Sequence, residues 1–287
     1  MIEGYKKYLL EGLMYYLRSI LFIRPVKKFF TRFIRRVLMH KYYEFKPWNV
    51  FLVLNRDVDA MLVHGSRHYI YAWRYEEKPS SLLRCLLRVL GRGVYVDVGA
   101  YVGFYTVLVA KHCWEVITFE PNPINLILLR YNIAFHGVGD RVMVVDKAAG
   151  DVLGYARFSI SSSPSESSLT KYLRNKLRLL NIDVEVVTID SILESLGIRD
   201  VENLVMKVDV EGFGLRVLRG ARRSIEKYRP FILFEVHRTL DEEDEIHALK
   251  MLKDLGYGFI VVEPRSRSNF IVYAYPREKG CLCCEQA

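Results

Sequence analysis

The chain lacks an apolar run long enough to cross a membrane. In its most apolar early segment, "YKKYLLEGLMYYLRSILFI", Glu11 and Arg18 interrupt the hydrophobic positions, whereas a span needs roughly 20 mostly apolar residues. Glu11 also weighs against a cleaved secretion signal, since no small-residue cleavage site follows the stretch. Cysteine is scarce, with five in 287 residues. Cys281, Cys283 and Cys284 crowd the last seven residues, and no second cluster completes a thiolate site, so no metal centre is expected. Cys85 and Cys113 read as small buried residues, and the tail as reduced and flexible in a cytoplasmic protein. Internal repeats are absent. So are the G-x-G-x-x-G dinucleotide fingerprint and the N/D-P-P-Y/F pattern found in many base amino-group methylators.

Positive charge is present but uneven. Residues 1–50 hold eleven Lys/Arg against Glu3, Glu11 and Glu44, a balance of +8 within a chain total of +9. The high isoelectric point therefore describes one segment and is no argument for nucleic acid as the partner of the remainder. Residues 1–50 read as a basic amphipathic helical segment. It suits a cap packed on the domain, and residues 1–46 also suit peripheral contact with an anionic membrane surface. Residues 51–287 read as one domain, with an extension over 51–90, a core over 91–275 and a Cys-rich tail over 276–287. Nothing in the sequence sets an oligomeric state.

From Val94 the pattern alternates between short β-branched strands and helical segments. "VYVDV", "EVITFE", "RVMVVD", "NLVMKVDV" and "PFILFEVH" are the strands, as expected of parallel strands covered on both faces. "GFIVVE" and "NFIVYAY" close the chain as an antiparallel hairpin. The fold class is α/β, a Rossmann-like doubly wound sheet, mostly parallel. Ligands in such sheets bind at the C-terminal ends of the strands.

The turn after the first strand reads Asp97-Val98-Gly99-Ala100-Tyr101-Val102-Gly103. A pyrophosphate would be repelled by Asp97, but a cationic cofactor would be attracted. S-adenosylmethionine carries a sulfonium and an ammonium and no phosphate, and it becomes S-adenosylhomocysteine on giving up its methyl group. Glycines at 99 and 103 would let the backbone approach it. Glu120 ends the second strand 21 residues after Gly99, where an acid in this kind of sheet grips ribose hydroxyls and can accept two hydrogen bonds. Asn122 caps the next helix and Pro123 suits its first position. Asp146, after the third strand, is a candidate for the adenine amino group. Ala100, Tyr101, Pro121, Asn122, Lys147 and Asp209 complete the candidate cofactor-binding set.

Lys207, Asp209 and Glu211 alternate at the end of the fourth strand and so share a face, and Glu235 and His237 repeat the arrangement on the next strand. Three charges gathered on an apolar strand are costly unless they are used or paired. These five residues are the catalytic candidates.

The runs "VDVGAYVGFYT", "FEPNPINLILLRYNI", "VTIDSIL", "KVDVEGFGLRVLRGA" and "PFILFEVH" together resemble the FkbM-type methyltransferases, within the class I S-adenosylmethionine-dependent group. The resemblance runs from about Val94 to His237. It implies methyl transfer to an oxygen, commonly a hydroxyl on a sugar, glycan or small metabolite. It assigns Asp97, Gly99 and Glu120 to the cofactor, and Asp209, Glu211, Glu235 and His237 to the catalytic side. Two positions depart from the pattern. Tyr101 replaces a small or amide residue, and Gly214 stands where a second Glu is frequent. The expected mechanism is in-line displacement, with His237 or Asp209 as general base and Lys207 and Glu211 organising the cluster. The rival readings are an RNA methyltransferase gripping phosphates through its basic N-terminus, and a non-catalytic cofactor-binding protein at a membrane.

Overall fold

A computed structural model describes residues 43–45, 50–55, 58–64, 76–161, 169, 178–237, 242–265, 269–283 and 285. Most of the helical reading of residues 1–50 and most of the serine-rich run "SSSPSESSLTK" lie outside the described residues, but where residues 1–50 are described, at Tyr43–Phe45 and Val50, they are strand and not helix. Residues 44–287 fold as one compact unit.

Its centre is a seven-stranded sheet of β1 (Val94–Val98), β2 (Glu115–Phe119), β3 (Val142–Val145), β4 (Leu204–Val208), β5 (Phe231–His237), β6 (Tyr257–Pro264) and β7 (Asn269–Pro276), in the order β3-β2-β1-β4-β5-β7-β6. Strands β1 to β5 pair in parallel. β7 runs antiparallel to both β5 and β6, so the closing hairpin is present, with its second strand inserted against β5.

The period-two pattern of the strands sends successive side chains to opposite faces. Tyr95 packs into the core on one face, and Val96 and Val98 into the core on the other. Helices α1 (Glu77–Leu90), α2 (Phe104–Ala110) and α3 (Pro123–His136) cover the first face through Leu82, Leu108 and Leu129. Helices α4 (Ile189–Ser195), α5 (Gly214–Gly220), α6 (Arg222–Tyr228) and α7 (Glu242–Asp254) cover the second through Leu193, Leu218, Ile225 and Leu252. Each such fully buried side chain contributes about 1.5–3 kcal/mol. All five positions of β4 are buried, the charged Lys207 among them. A further antiparallel hairpin spans Val50–Asn55 and Asp59–His64. The run "LRVLRGARRSIEKY" forms two helices, divided at Gly220–Ala221. Gly220 lies so close to the Gly150 carbonyl that an added Cβ would come within 1.8 Å of its oxygen.

The tail differs from expectation. Cys283 forms a disulfide with Cys85 of α1 across 198 residues, with Cα atoms 6.0 Å apart. Cys281, Leu282 and Cys283 pack against the first core, and Tyr273 donates from Oη to the Leu282 carbonyl at 3.0 Å. The reduced, flexible tail is therefore corrected to a docked one, because a partner 198 residues away leaves no local spacing to read. Cys113 is exposed rather than buried. Among the described residues, no helix is long and apolar enough to cross a membrane.

Candidate active site

The C-terminal ends of β1, β4 and β5 converge. β1 ends in Asp97-Val98 and turns through Gly99, which takes φ 79°. A Cβ on Gly99 would come within 1.8 Å of the Asp209 carbonyl oxygen. Gly99 therefore serves the contact between the β1 turn and the end of β4. Gly103 takes φ 89° before α2, and a Cβ there would come within 2.4 Å of Leu129 Cδ1. Between them Tyr101 also takes a left-handed conformation, φ 53°, which is costly for a residue of its bulk. Ala100 is buried in the same turn.

Asp97 is 1% exposed. Its Oδ2 accepts from Thr106 Oγ1 at 2.6 Å, while Oδ1 has no hydrogen-bond partner among the described residues. Burial raises its pKa against the lowering effects of Lys207 and the Thr106 bond. A buried carboxylate oxygen without a partner is expensive, and it suits a cationic or hydrogen-donating ligand group.

Glu120 is 4% exposed. Its Oε2 accepts from the Tyr101 N–H at 2.8 Å, and its Oε1 from the Asn122 N–H at 2.8 Å and Asn125 Nδ2 at 3.2 Å. Burial pushes its pKa up to about 7 despite these bonds. A carboxylate offers about four lone-pair sites, so these three bonds leave room for one further hydroxyl and not two. Asn122 caps α3 by accepting from the Ile124 N–H at 3.0 Å, with Pro123 at the first helical position. Pro121 lies in this turn, half-buried. Asp146 is exposed and pairs with Arg130 at 3.2 Å. Lys147 pairs with Glu185 at 2.6 Å.

The catalytic candidates form one network. Lys207 faces Asp97 in register across β4 and β1. Its Nζ lies 3.1 Å from Asp209 Oδ2 and 5.1 Å from the centre of the Tyr105 ring. Burial alone would lower the Lys207 pKa, but Asp209 and Asp97 raise it overall. For Asp209, burial raises the pKa and is outweighed by Lys207 and His237, leaving it well below the usual carboxylate range. His237 Nε2 lies 3.1 Å from Asp209 Oδ1 and 3.8 Å from Glu235 Oε1. Its Nδ1 lies 3.5 Å from Glu211 Oε2 and 3.2 Å from Asn269 Nδ2. Burial lowers the imidazole pKa, yet Glu211 and the Asp209 bond push it up to about 10. That shift favours the protonated imidazolium, which donates rather than accepts. Glu235 is pushed up to about 8, first by burial and then by Asp209. Glu211 holds its place at φ 51°.

Several partners were not legible in the sequence. Arg265 Nη2 pairs with Glu76 Oε1 at 2.5 Å, and its Nε lies 3.9 Å from Glu235 and 3.7 Å from Glu263. Tyr105 donates a hydrogen bond to Glu76. Glu76, Arg265 and Asn269 carry no motif, and only the fold brings them to the strand ends, while Tyr105 and Thr106 close the run "VDVGAYVGFYT" without a chemical pattern of their own.

The strand order and the antiparallel seventh strand give the α/β fold of the class I methyltransferases. The methyltransferase FkbM domain model matches residues 97–259. The chain belongs to that family and is a methyltransferase. A hexuronic acid methyltransferase, AglP of Haloferax volcanii, is 26% identical over 182 residues, covering 61% of this chain and 68% of that protein. Among solved structures, methyltransferase FkbM from Methylobacillus flagellatus KT superposes with a TM-score of 0.45 at 21% identity. The match covers 64% of this chain and 44% of that one, so the chain spans less than half of that protein's length. An O-methyltransferase from Bacillus cereus, solved in complex with SAH, gives a TM-score of 0.44 at 10% identity, covering 92% of this chain and 97% of that one.

Proposed function

We propose that the chain transfers a methyl group from S-adenosylmethionine to an oxygen of a sugar or glycan. The observation that carries this reading is the placement of Asp97, with its partnerless buried oxygen, beside the Lys207–Asp209–His237 network at adjacent strand ends. The cofactor supplies a methyl group activated by its sulfonium. Asp97 offers a carboxylate to the cationic methionine end, and Glu120 offers one free acceptor site to a ribose hydroxyl. The turn 99–103 and Asn122 shape the same pocket, with Asp146 and Lys147 at its adenine side.

At the reacting end, Asp209 is the ionised carboxylate to which an acceptor hydroxyl can pass its proton, with Glu235, which burial keeps protonated at neutral pH, beside it. Lys207 and His237 hold Asp209 in place and stabilise its charge. The acceptor oxygen gains the methyl group, its proton leaves, and the carbon–sulfur bond breaks. Alignment of the two reactants supplies much of the acceleration.

The hexuronic acid specificity of the Haloferax relative supports a sugar-class acceptor. A polyphosphate acceptor such as RNA would meet several carboxylates at this mouth, which favours a glycan over nucleic acid. Incubation with methyl-labelled cofactor and separated glycan, lipid and RNA fractions tests the reading. Label is expected in the glycan fraction, and label confined to RNA would overturn it.

A further inference from the structure

We propose that Asp209, Glu211 and His237 bind one divalent cation next to the acceptor, a site for which the sequence gives no metal-ligand spacing. The proposal deepens the methyltransferase reading above and rests on it. Each of the three residues offers one ligand atom, and the three atoms lie within 4.8 Å of one another. Ligands around a cation sit about 2.0–2.6 Å from it, so ligand atoms separated by that amount can share one ion after small side-chain shifts. Asp209 and Glu211 follow β4 and His237 ends β5, so the set exists only because these two strands are neighbours.

The set is more than a group of acids. His237 is 4% exposed, and its Nε2 faces Asp209 while the Asn269 amide stands 3.2 Å from its Nδ1. A histidine that ligates a metal through one nitrogen donates its other ring N–H to an acceptor, a role that Asn269 fills when its amide is turned to present Oδ1. The surrounding charge points the same way. Among the described residues, the carboxylates Glu76, Asp209, Glu211, Glu235 and Glu263 are linked through ion pairs to Lys207, Arg265 and His237. A dication at this point adds positive charge beside these carboxylates. It also gives an acidic or many-hydroxyl sugar a positive group to meet in a mouth otherwise lined by carboxylates.

Two carboxylate oxygens and one imidazole nitrogen suit Mn²⁺, an ion that accepts both donor types and is not drawn to thiols. The full-length chain, freed of metal with a chelator, is titrated with Mn²⁺ and the free ion is followed by electron paramagnetic resonance. One Mn²⁺ per chain is expected. Glu211→Gln, a change in a turn outside the strands, is expected to weaken binding about tenfold or more, with His237→Asn as the second variant. Failure to bind Mn²⁺ stoichiometrically, or undiminished binding by a folded Glu211→Gln protein, overturns the site. Calorimetry with S-adenosylhomocysteine and no metal is run alongside. If that product binds while Mn²⁺ does not, the cation site alone has failed. If neither binds, the methyl-transfer reading has failed as well.

Discussion

His237 Nε2 lies 3.1 Å from Asp209 Oδ1, joining the ends of β5 and β4 through two residues 28 positions apart. Asp209 is also held by Lys207 at 3.1 Å, so one carboxylate ties two cationic groups to one spot. Removing it leaves both without their principal acceptor in a poorly solvated place, which costs more than the bonds themselves.

Asp209→Asn should therefore lower kcat about 100-fold or more, in the range usual for losing a proton-handling group. Single-turnover label transfer, with folding checked by circular dichroism, measures this. Turnover within twofold of the native enzyme would remove Asp209 from the chemistry.

Glu120 should govern cofactor affinity. Glu120→Gln removes the charge from the acceptor and should weaken S-adenosylhomocysteine binding by about 1.5–3 kcal/mol, roughly 10- to 100-fold. Calorimetry reads the change directly, and equal affinity would displace Glu120 from the ribose site.

The same residue predicts a pH dependence. Burial raises its pKa from 4.5 to about 7, so folding favours the protonated form. That contribution to stability is complete below about pH 4.5 and disappears as pH rises through 7. Denaturant melts should show Glu120→Gln gaining on the native chain across this window, by up to about 3 kcal/mol. Native affinity for S-adenosylhomocysteine should rise over the same range, because the ionised carboxylate is the better acceptor, and the Gln variant should stay flat.

The Cys85–Cys283 disulfide closes a loop of 198 residues and should contribute about 2–4 kcal/mol. Reduction or Cys85→Ser should lower the melting temperature, whereas Cys113→Ser, at an exposed free cysteine, should not. Equal melting with and without reductant would show that the bond does not restrain the tail.

Gly99→Ala meets both a left-handed backbone and a carbonyl oxygen 1.8 Å from the new Cβ, and should cost about 3 kcal/mol or more. Gly91→Ala has φ 74° but open space around it, so only the backbone penalty of about 1–2 kcal/mol applies. Chemical denaturation of the two variants separates steric clash from backbone strain.

Local chemistry made much of this protein legible. The alternation of short apolar strands with helices, the Asn122-Pro123 cap, the acids that end β1 and β2, and the charged ends of β4 and β5 all follow from period, capping and the cost of buried charge. These are properties of neighbours along the chain, so the sequence alone determined the fold class and the candidate residues. The tertiary structure decided which groups meet. It inserted β7 beside β5, which carries Asn269 to His237, and it brought Arg265 to Glu76 and Cys283 to Cys85. It also put His237 among carboxylates that hold its proton, and gave Gly99 to the Asp209 carbonyl. Distance and burial between remote segments set these outcomes, and neither quantity is written in residue order.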